Sequence, residues 1–253
     1  MRLSPWLDLE GTANTRDIGG LPAGGGRIRP RLLIRSDNLQ DLTPADVTLL
    51  ADELGVRTVL DLRTDTERAD EGAAPLHARR EIEHFPLSFI PDRDLGRLGD
   101  SVVLPDRWAE GAVGAYLHYV RDRPGSFAAA VRRLADPAAG AAIVHCAAGK
   151  DRTGLLVAVV LDVLGTDREL IYADYEATNE RIERIFARLA ASDTYAVDVR
   201  RIGLDAHRVQ PDTMRTVLSE LDDRFGSPTD FLRSAGVADD ELDRLTARFV
   251  EPA

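Results

Sequence analysis

The chain has 253 residues, of which 44% are hydrophobic and 30% charged, with a formal net charge of −11. This length suits one large domain or two small ones, and the composition is that of an ordinary globular protein. The acidic charge argues against nucleic acid or anionic lipid as the main partner.

The beginning of the chain lacks the apolar run of a secretory signal. The longest apolar run, 155–164, is interrupted by Asp162 and is far shorter than the roughly 20 residues of a membrane span. We therefore expect no integral membrane association and a cytoplasmic location, with export by a route that needs no cleaved signal left open.

Predicted strands and helices alternate along the chain. The predicted strands cover 32–34, 57–62, 82–89 and 141–145. The predicted helices cover 43–54, 108–121, 125–134, 153–164, 167–190, 211–225 and 239–249, and 90–107 is predicted to be irregular. This order predicts an α/β fold with a mainly parallel central sheet flanked by helices, and a helical C-terminal part over about 167–253. Without repeats or linkers, we expect a single domain over 1–253.

Cys146 is the only cysteine of the chain and Lys150 its only lysine, among 32 basic residues. A single cysteine excludes an intramolecular disulfide and a multi-cysteine metal site. A lone cysteine without context is most often a small buried hydrophobic residue. Here the two unique residues lie four positions apart, which points to the segment between them.

The segment around Cys146 has the features of a phosphate-binding loop. It follows the predicted buried strand 141–145 and opens the predicted buried helix 153–164. The start of a helix leaves backbone N–H groups unpaired and carries the positive end of the helix dipole, so it attracts anions. We expect phosphate contacts from Ala147, Ala148, Gly149, Lys150, Thr153 and Gly154.

Cys146 and Arg152 carry the chemistry expected of this loop. Their spacing allows the sulfur to lie beneath a bound phosphorus atom and the guanidinium to lie beside its oxygens. The thiolate is the nucleophilic form of cysteine, and an arginine can contact two phosphate oxygens at once. Thr153 is a candidate hydroxyl donor to the sulfur. His145 is expected either to orient the loop or to be a satisfied core histidine.

The pattern H-C-x-x-G-x-x-R-[S/T]-G over 145–154 resembles the signature of the protein tyrosine phosphatase superfamily. Further stretches resemble its bacterial atypical dual-specificity group, typified by the secreted mycobacterial tyrosine phosphatase B. These stretches are 14–20, 34–36, 61–64, 178–179, 225–227 and 231–232.

This resemblance implies a tyrosine-phosphatase-like fold and a phosphocysteine intermediate, without metal or cofactor. It implies substrates among proteins phosphorylated on tyrosine, serine or threonine, and among phosphoinositides. Lys150 resembles the loop lysine of phosphoinositide phosphatases. Some members carry a helical lid, for which the stretch after Asp167 is the candidate here.

Three aspartates are candidates for the acid that protonates the leaving group. The Trp-Pro-Asp sequence of the best-known tyrosine phosphatases is absent. Asp151 ranks first because it directly precedes Arg152, and related groups have an aspartate there. Asp61 ranks second because it ends a strand whose carboxyl edge should face the same crevice, although it could instead bond to the loop or to Arg63. Asp92, in the irregular segment, ranks third.

Two functions remain open at this stage. One is a metal-independent phosphomonoester hydrolase, and the alternative is a catalytically weak phosphate-binding module that recognises phosphorylated partners. A rhodanese-like sulfurtransferase is less consistent with the sequence, because it does not need Arg152 followed by Thr-Gly. The natural substrate and the oligomeric state do not follow from the sequence.

Overall fold

The computed structural model describes residues 6–92, 96–98, 101–103 and 111–252. Its strands are Arg16–Asp17 (β1), Pro22–Ala23 (β2), Gly26–Ile28 (β3), Leu33–Ser36 (β4), Val56–Asp61 (β5), Glu83–Pro86 (β6), Gly96–Leu98 (β7), Ser101–Val103 (β8), Ala141–His145 (β9) and Val250–Pro252 (β10). Its α-helices are Pro44–Thr48 (α1), Asp65–Glu71 (α2), Gly111–Asp122 (α3), Pro124–Ala135 (α4), Asp151–Val163 (α5), Arg168–Ala177 (α6), Ile182–Ala191 (α7), Ala196–Ile202 (α8), Leu204–His207 (α9), Asp212–Phe225 (α10), Pro228–Ser234 (α11) and Asp239–Phe249 (α12).

The central sheet has five strands in the order β1–β4–β9–β5–β6. Strands β4, β9, β5 and β6 run parallel to one another, and β1 pairs antiparallel with β4 at the edge of the sheet. All five residues of β9 are buried, as expected for a parallel strand covered on both faces. The predicted mainly parallel α/β sheet is confirmed.

The register of the sheet places the end of β9 between the ends of its two neighbours. His145 pairs with Ser36 at the end of β4 and with Asp61 at the end of β5. The chain that leaves β9 therefore starts at the centre of the carboxyl edge, where open α/β sheets bind their ligands. This position is set by the pairing and not by the local sequence.

Helix α5 lies at the centre of the core. Every residue from Arg152 to Leu161 is buried, so the helix is covered on all sides. It contacts the sheet and helices α3, α6, α10 and α11. The same buried cluster reaches from Ile18 to Phe249 and so joins both ends of the described chain. The single-domain organisation stays a prediction, with which this shared core is consistent.

The helix predicted over 167–190 is interrupted, and that prediction is wrong. Helix α6 ends at Ala177, a 3₁₀ turn covers Thr178–Arg181, and α7 begins at Ile182. Asn179 donates from Nδ2 to the carbonyl of Val209 at 2.9 Å and accepts from its N–H at 2.8 Å. This inward-facing amide ties the break to a distant loop, which helical periodicity does not reveal.

Other boundaries also differ from the predictions. The strand expected over 82–89 is limited to β6, which ends at Pro86, a residue without an N–H for the ladder. The stretch 90–107 contains the β7–β8 hairpin, so it is not wholly irregular. The rest of that stretch (93–95, 99–100 and 104–107) and the first residues of the helix predicted at 108–121 lie outside the described residues. Helices α2, α8, α9 and α11 were not predicted.

Within the described ranges, no helix is long and apolar enough to cross a membrane.

Candidate active site

The loop between β9 and α5 turns its carbonyl groups outward. Three consecutive carbonyls accept hydrogen bonds from outside the loop: Ala147 from the Asn38 N–H at 3.0 Å, Ala148 from Asn14 Nδ2 at 2.9 Å and Gly149 from Arg35 Nη2 at 2.8 Å. In a trans peptide, the C=O and the N–H point in opposite directions. The N–H groups of these peptide units therefore face the inside of the loop, where they form an anion-binding nest at the start of α5.

Gly149 is required by the path of this loop. Its φ of +64° lies in the left-handed region, and a Cβ atom here would lie 2.5 Å from the carbonyl oxygen of Ser36. The loop can therefore lie against the end of β4 only with glycine at this position.

A buried ion network supports the loop from behind. Asp174 of α6 accepts from Arg16 Nε at 2.9 Å and from Arg35 Nη1. Burial and the charge of Arg35 lower the pKa of Arg16 to about 10, against the opposing effect of Asp174. Because Arg35 also holds the Gly149 carbonyl, the network fixes the loop to the sheet. Stretches 14–20 and 34–36, which carried the family resemblance, supply these supports.

Cys146 lies at the base of a cavity of about 550 Å³ and is only 1% exposed. The loop residues Ala147, Ala148, Lys150, Asp151 and Arg152 line the same cavity. The structure thus brings the predicted nucleophile, the phosphate clamp and the first-ranked acid together around one space.

Arg152 is held by a residue that the sequence analysis did not identify. Its Nη1 and Nη2 donate to the two carboxylate oxygens of Glu67 at 2.6 and 2.8 Å, and Nη1 also lies 3.3 Å from the Leu62 carbonyl. Burial would raise the pKa of Glu67, but the Arg152 charge outweighs it and lowers that pKa. A guanidinium has five N–H donors, so two have no partner among the described residues, and Arg152 lines the cavity.

A local signal for Glu67 exists in the sequence. Thr64 and Glu67 form a capping box at the start of α2, in which the Glu67 carboxylate accepts from the Thr64 N–H at 2.8 Å. The Thr-x-x-Glu spacing predicts such a helix start. It does not predict the contact with Arg152, which lies 85 positions further along the chain.

Asp151 is oriented by two buried tyrosines that were also not predicted. Tyr116 Oη donates to Asp151 Oδ1 at 2.7 Å and lies 2.7 Å from Tyr175 Oη. Burial and the charge of Asp151 raise the pKa of both phenols, so they stay protonated at neutral pH. Lys150 Nζ lies 3.7 Å from the same Asp151 oxygen. One carboxylate oxygen of Asp151 is therefore held by the protein.

Asp61 lies beneath the loop, outside the described lining of the cavity. Its carboxylate accepts from Arg63 Nε at 2.9 Å and from Arg63 Nη2 at 2.6 Å, and it lies 3.5 Å from His145 Nε2. Burial raises the pKa of Asp61, but His145 and Arg63 outweigh this effect and hold it below its usual value. Asp61 is thus an ionised carboxylate that accepts hydrogen bonds from Arg63, which matches the alternative that it bonds to Arg63.

His145 is buried between Asp61 and the loop. Burial lowers its pKa to about 4, although the Asp61 charge opposes this shift, so the ring is neutral at pH 7. Its Nδ1 lies 3.3 Å from the carbonyl oxygen of Cys146. These contacts support the expected orienting role.

Asp92 lies near the start of α2. Its Oδ1 accepts from the Thr66 N–H at 2.9 Å. Burial raises its pKa, but the hydrogen bonds from Thr66 outweigh this and lower it. Asp92 is not among the described residues that line the cavity. It instead accepts a hydrogen bond from a backbone N–H in the first turn of α2.

Thr153 and Gly154, in the first turn of α5, do not line the cavity directly. The Thr153 hydroxyl is buried and has no hydrogen-bond partner in the described part of the chain. A Cβ atom on Gly154 would lie 3.0 Å from the Tyr175 ring, so glycine allows α6 to approach the loop.

The wall opposite the loop is formed by residues 182–210, which we call the lid segment. Helices α7 and α8, together with Tyr195 just before α8, contribute an apolar face that clusters with Ala147; its members are Ile182, Ile185, Leu189, Tyr195 and Val199. Lys150 Nζ donates to the carbonyl of His207 at 2.9 Å, which links the lid segment to the loop. Of the stretch after Asp167, considered from the sequence as a lid, α6 supports the loop from behind, and residues between 189 and 210 line the cavity.

Comparisons with known proteins agree with this geometry. The model of the tyrosine phosphatase family matches residues 7–251. The triple specificity protein phosphatase PtpB of Mycobacterium tuberculosis is 28% identical over 94% of this chain and 96% of its own length. A tyrosine-protein phosphatase of Nostoc commune is 28% identical over 85% of this chain and 73% of its own.

A protein of Cupriavidus necator assigned as a tyrosine-protein phosphatase is 31% identical over 90% of this chain and 83% of its own. The family match covers almost the whole chain, including the Cys146 loop, the tyrosines around Asp151 and the lid segment. The chain therefore belongs to the tyrosine phosphatase family, as its loop motif predicted.

Proposed function

We propose that this protein hydrolyses phosphate monoesters through a phosphocysteine intermediate. We further propose a broad specificity that includes phosphotyrosine, phosphoserine, phosphothreonine and phosphoinositides. The observation that carries the proposal is the loop itself: its carbonyls are tied outward, Cys146 lies at its base, and Arg152 faces the same cavity. The name of the mycobacterial relative, a triple specificity protein phosphatase, supports the breadth.

In the first step, the Cys146 thiolate attacks phosphorus. An S–P bond forms, the P–O ester bond breaks, and its electron pair stays with the leaving oxygen, which takes a proton from Asp151. The loop amides and the two N–H groups of Arg152 that have no partner in the described part of the chain stabilise the charge on the equatorial oxygens. Glu67 holds the guanidinium in place, so little reorganisation is needed.

In the second step, water attacks the phosphocysteine. The Asp151 carboxylate takes a proton from this water, a P–O bond forms, and the S–P bond breaks to return the thiolate. The Thr153 hydroxyl, which has no partner in the described part of the chain, is available to donate to the departing sulfur. Inorganic phosphate is then released.

Asp151 is the proton donor that the geometry supports best. It lines the cavity with Cys146, whereas Asp61 and Asp92 are engaged with Arg63 and Thr66 away from the described lining. With Oδ1 held by Tyr116, the second oxygen is the one left to exchange a proton with the leaving group.

The test is the release of p-nitrophenol from p-nitrophenyl phosphate by the full chain, with and without a chelator. We expect chelator-resistant release that falls by about 10⁴-fold or more in Cys146→Ser, because the nucleophile is lost. Phosphate binding without release by the wild type would identify a phosphate-binding module instead. Equal release by the wild type and Cys146→Ser would exclude the phosphocysteine.

The breadth of specificity needs a separate experiment. A panel of phosphotyrosine, phosphoserine and phosphothreonine peptides and soluble phosphoinositides is compared by kcat/KM. We expect turnover in each class, because the cavity has a volume of about 550 Å³ and is lined by Lys150, whose charge can attract an additional phosphate. Turnover of phosphotyrosine alone would contradict the proposed breadth while leaving the hydrolase proposal intact.

A further inference from the structure

Tyr195 places an unpaired polar group at the active site. The residue is 7% exposed, lines the cavity together with Cys146 and Arg152, and belongs to the lid segment. Its hydroxyl is buried and has no hydrogen-bond partner in the described part of the chain. Leaving a buried hydroxyl unpaired is unfavourable, so its presence in a cavity indicates that a ligand supplies the partner.

The surroundings of this hydroxyl define the kind of partner. Burial, followed by the charge of Glu67, raises the pKa of Tyr195 well above its usual value, so the group is a neutral donor at neutral pH. The positive charges that act on it are those of Arg63 and Arg152. The ring packs in the same apolar cluster as Ala147, the residue after Cys146. Of the two arginines, Arg152 lines the same cavity as Tyr195 and Cys146.

A second unpaired group belongs to a residue that lines the same cavity. His207 Nε2 is also buried without a partner in the described ranges, and the charges that act on its ring include those of Lys150 and Asp151. The charges that act on Tyr195 thus include that of Arg152, and those that act on His207 include that of the proposed acid Asp151.

We propose that the Tyr195 hydroxyl donates a hydrogen bond to the phosphoryl group of the bound substrate. The phosphoryl group would then be held by the loop amides and Arg152 from one side and by the lid segment from the other. This inference rests on the proposed phosphatase function. It makes the lid a part of phosphate recognition as well as a cover.

The test uses Tyr195→Phe, which removes only the hydroxyl. The inhibition constant of inorganic phosphate against p-nitrophenyl phosphate is expected to rise about tenfold, as for the loss of one hydrogen bond to a charged group. In the absence of anion, the Tm is expected at or above that of the wild type, because an unpaired buried hydroxyl has been removed. A merely structural role would give the opposite sign in Tm.

Thr166→Val is the matched control. The Thr166 hydroxyl is also buried without a partner in the described residues, but it does not line the cavity. In Thr166→Val, the Tm should change in the same direction as in Tyr195→Phe, whereas the inhibition constant for phosphate should stay at the wild-type value. The comparison separates the removal of any unpaired hydroxyl from the removal of a phosphate ligand.

An unchanged inhibition constant in Tyr195→Phe would overturn the inference, and so would a lower Tm without anion, which would show that the hydroxyl supports the fold. These outcomes are distinct from failure of the proposed function. If the wild type neither turns over p-nitrophenyl phosphate nor binds phosphate, the function itself fails. If the wild type does both and Tyr195→Phe binds phosphate equally well, only this inference fails.

Discussion

The two sides of the active-site cavity are built in different ways. The loop side is tied to the sheet by buried charged and polar groups: Arg35 and Asn14 hold its carbonyls, and Glu67 holds Arg152. The lid segment rests on a small apolar cluster, on the Lys150–His207 contact and on partly exposed arginine contacts such as Arg188 with Asp41. Regions with few buried contacts open more easily than the core.

This difference separates the residues that perform the reaction from those that control entry to the cavity. The groups that need a fixed geometry, Cys146, Arg152 and Asp151, lie on the rigid side. The lid residues Tyr195 and His207 carry buried polar atoms without a partner in the described ranges, and we propose that a bound substrate supplies the partner of Tyr195. We therefore expect changes on the loop side to alter kcat or global stability, and changes in the lid to alter binding and local opening.

The largest effect should come from Asp151→Asn. We expect kcat/KM to fall by about 10²-fold with phenyl phosphate, because the phenoxide needs a proton as it leaves, and by far less with p-nitrophenyl phosphate. The measurement is the ratio of the two losses. Asp61→Asn is the control, and it should lower kcat/KM by the same factor for both substrates. An equal loss with both substrates in Asp151→Asn would remove Asp151 as the acid.

Glu67→Gln should give the next largest effect. It takes the charged partner from a buried guanidinium, so we expect kcat/KM to fall by at least about tenfold and the free energy of unfolding to fall by about 3 kcal/mol. Urea unfolding and steady-state kinetics measure the two changes. Glu71→Gln, in the same helix but bonded to Asn38 and Ser192, is the control. Equal effects in both variants would mean that the Arg152 contact has no special role.

The stability of the loop side should depend on pH through His145. The pKa of this ring is lowered from 6.5 to about 4 by burial, so the unfolded chain binds more protons between these values. The contribution of neutral His145 to the free energy of unfolding is complete above pH 6.5. It is lost as the pH falls towards 4, by an amount on the order of 3 kcal/mol. The free energy of unfolding, measured by urea at several pH values, should show this slope.

His145→Gln should flatten part of that slope, because the pKa values of His84 and His207 are also lowered, chiefly by burial, and these two rings supply the remainder. Asp61 titrates in a lower range because its pKa is lowered, so it adds to the loss only at more acidic pH. A slope in His145→Gln equal to that of the wild type would show that His145 does not contribute to it.

The smallest effect should come from Val199→Ala in the lid cluster. We expect faster amide hydrogen exchange in the lid segment (182–210), a rise of about twofold in KM and little change in global stability, because we expect the lid to open independently of the core. Val159→Ala in α5 is the matched control, and it should lower the free energy of unfolding by about 2 kcal/mol without selective exchange in the lid. If both variants lose the same global stability, the lid and the core form one cooperative unit.

Local sequence was sufficient for the family and for the centre of the site. The 145–154 motif combines a buried strand, small residues at the bend and a helix start, and these features depend on near neighbours in the chain. The family prediction is confirmed, and the strand 141–145 has the predicted bounds. The positions of Cys146, Lys150, Asp151 and Arg152 around one cavity follow from this short segment.

Tertiary structure decided which distant residues complete the site. Glu67, Tyr116 and Tyr195 reach the loop from three separate parts of the chain, and their local sequence signals at most a helix start or a core position. The choice among the three aspartates likewise depended on strand register, which places Asp61 beneath the loop beside Arg63. Contacts over such separations depend on how the whole core packs. The local sequence therefore identifies the residues of the loop, whereas the side chains that hold Arg152 and Asp151 are identified only by the folded structure.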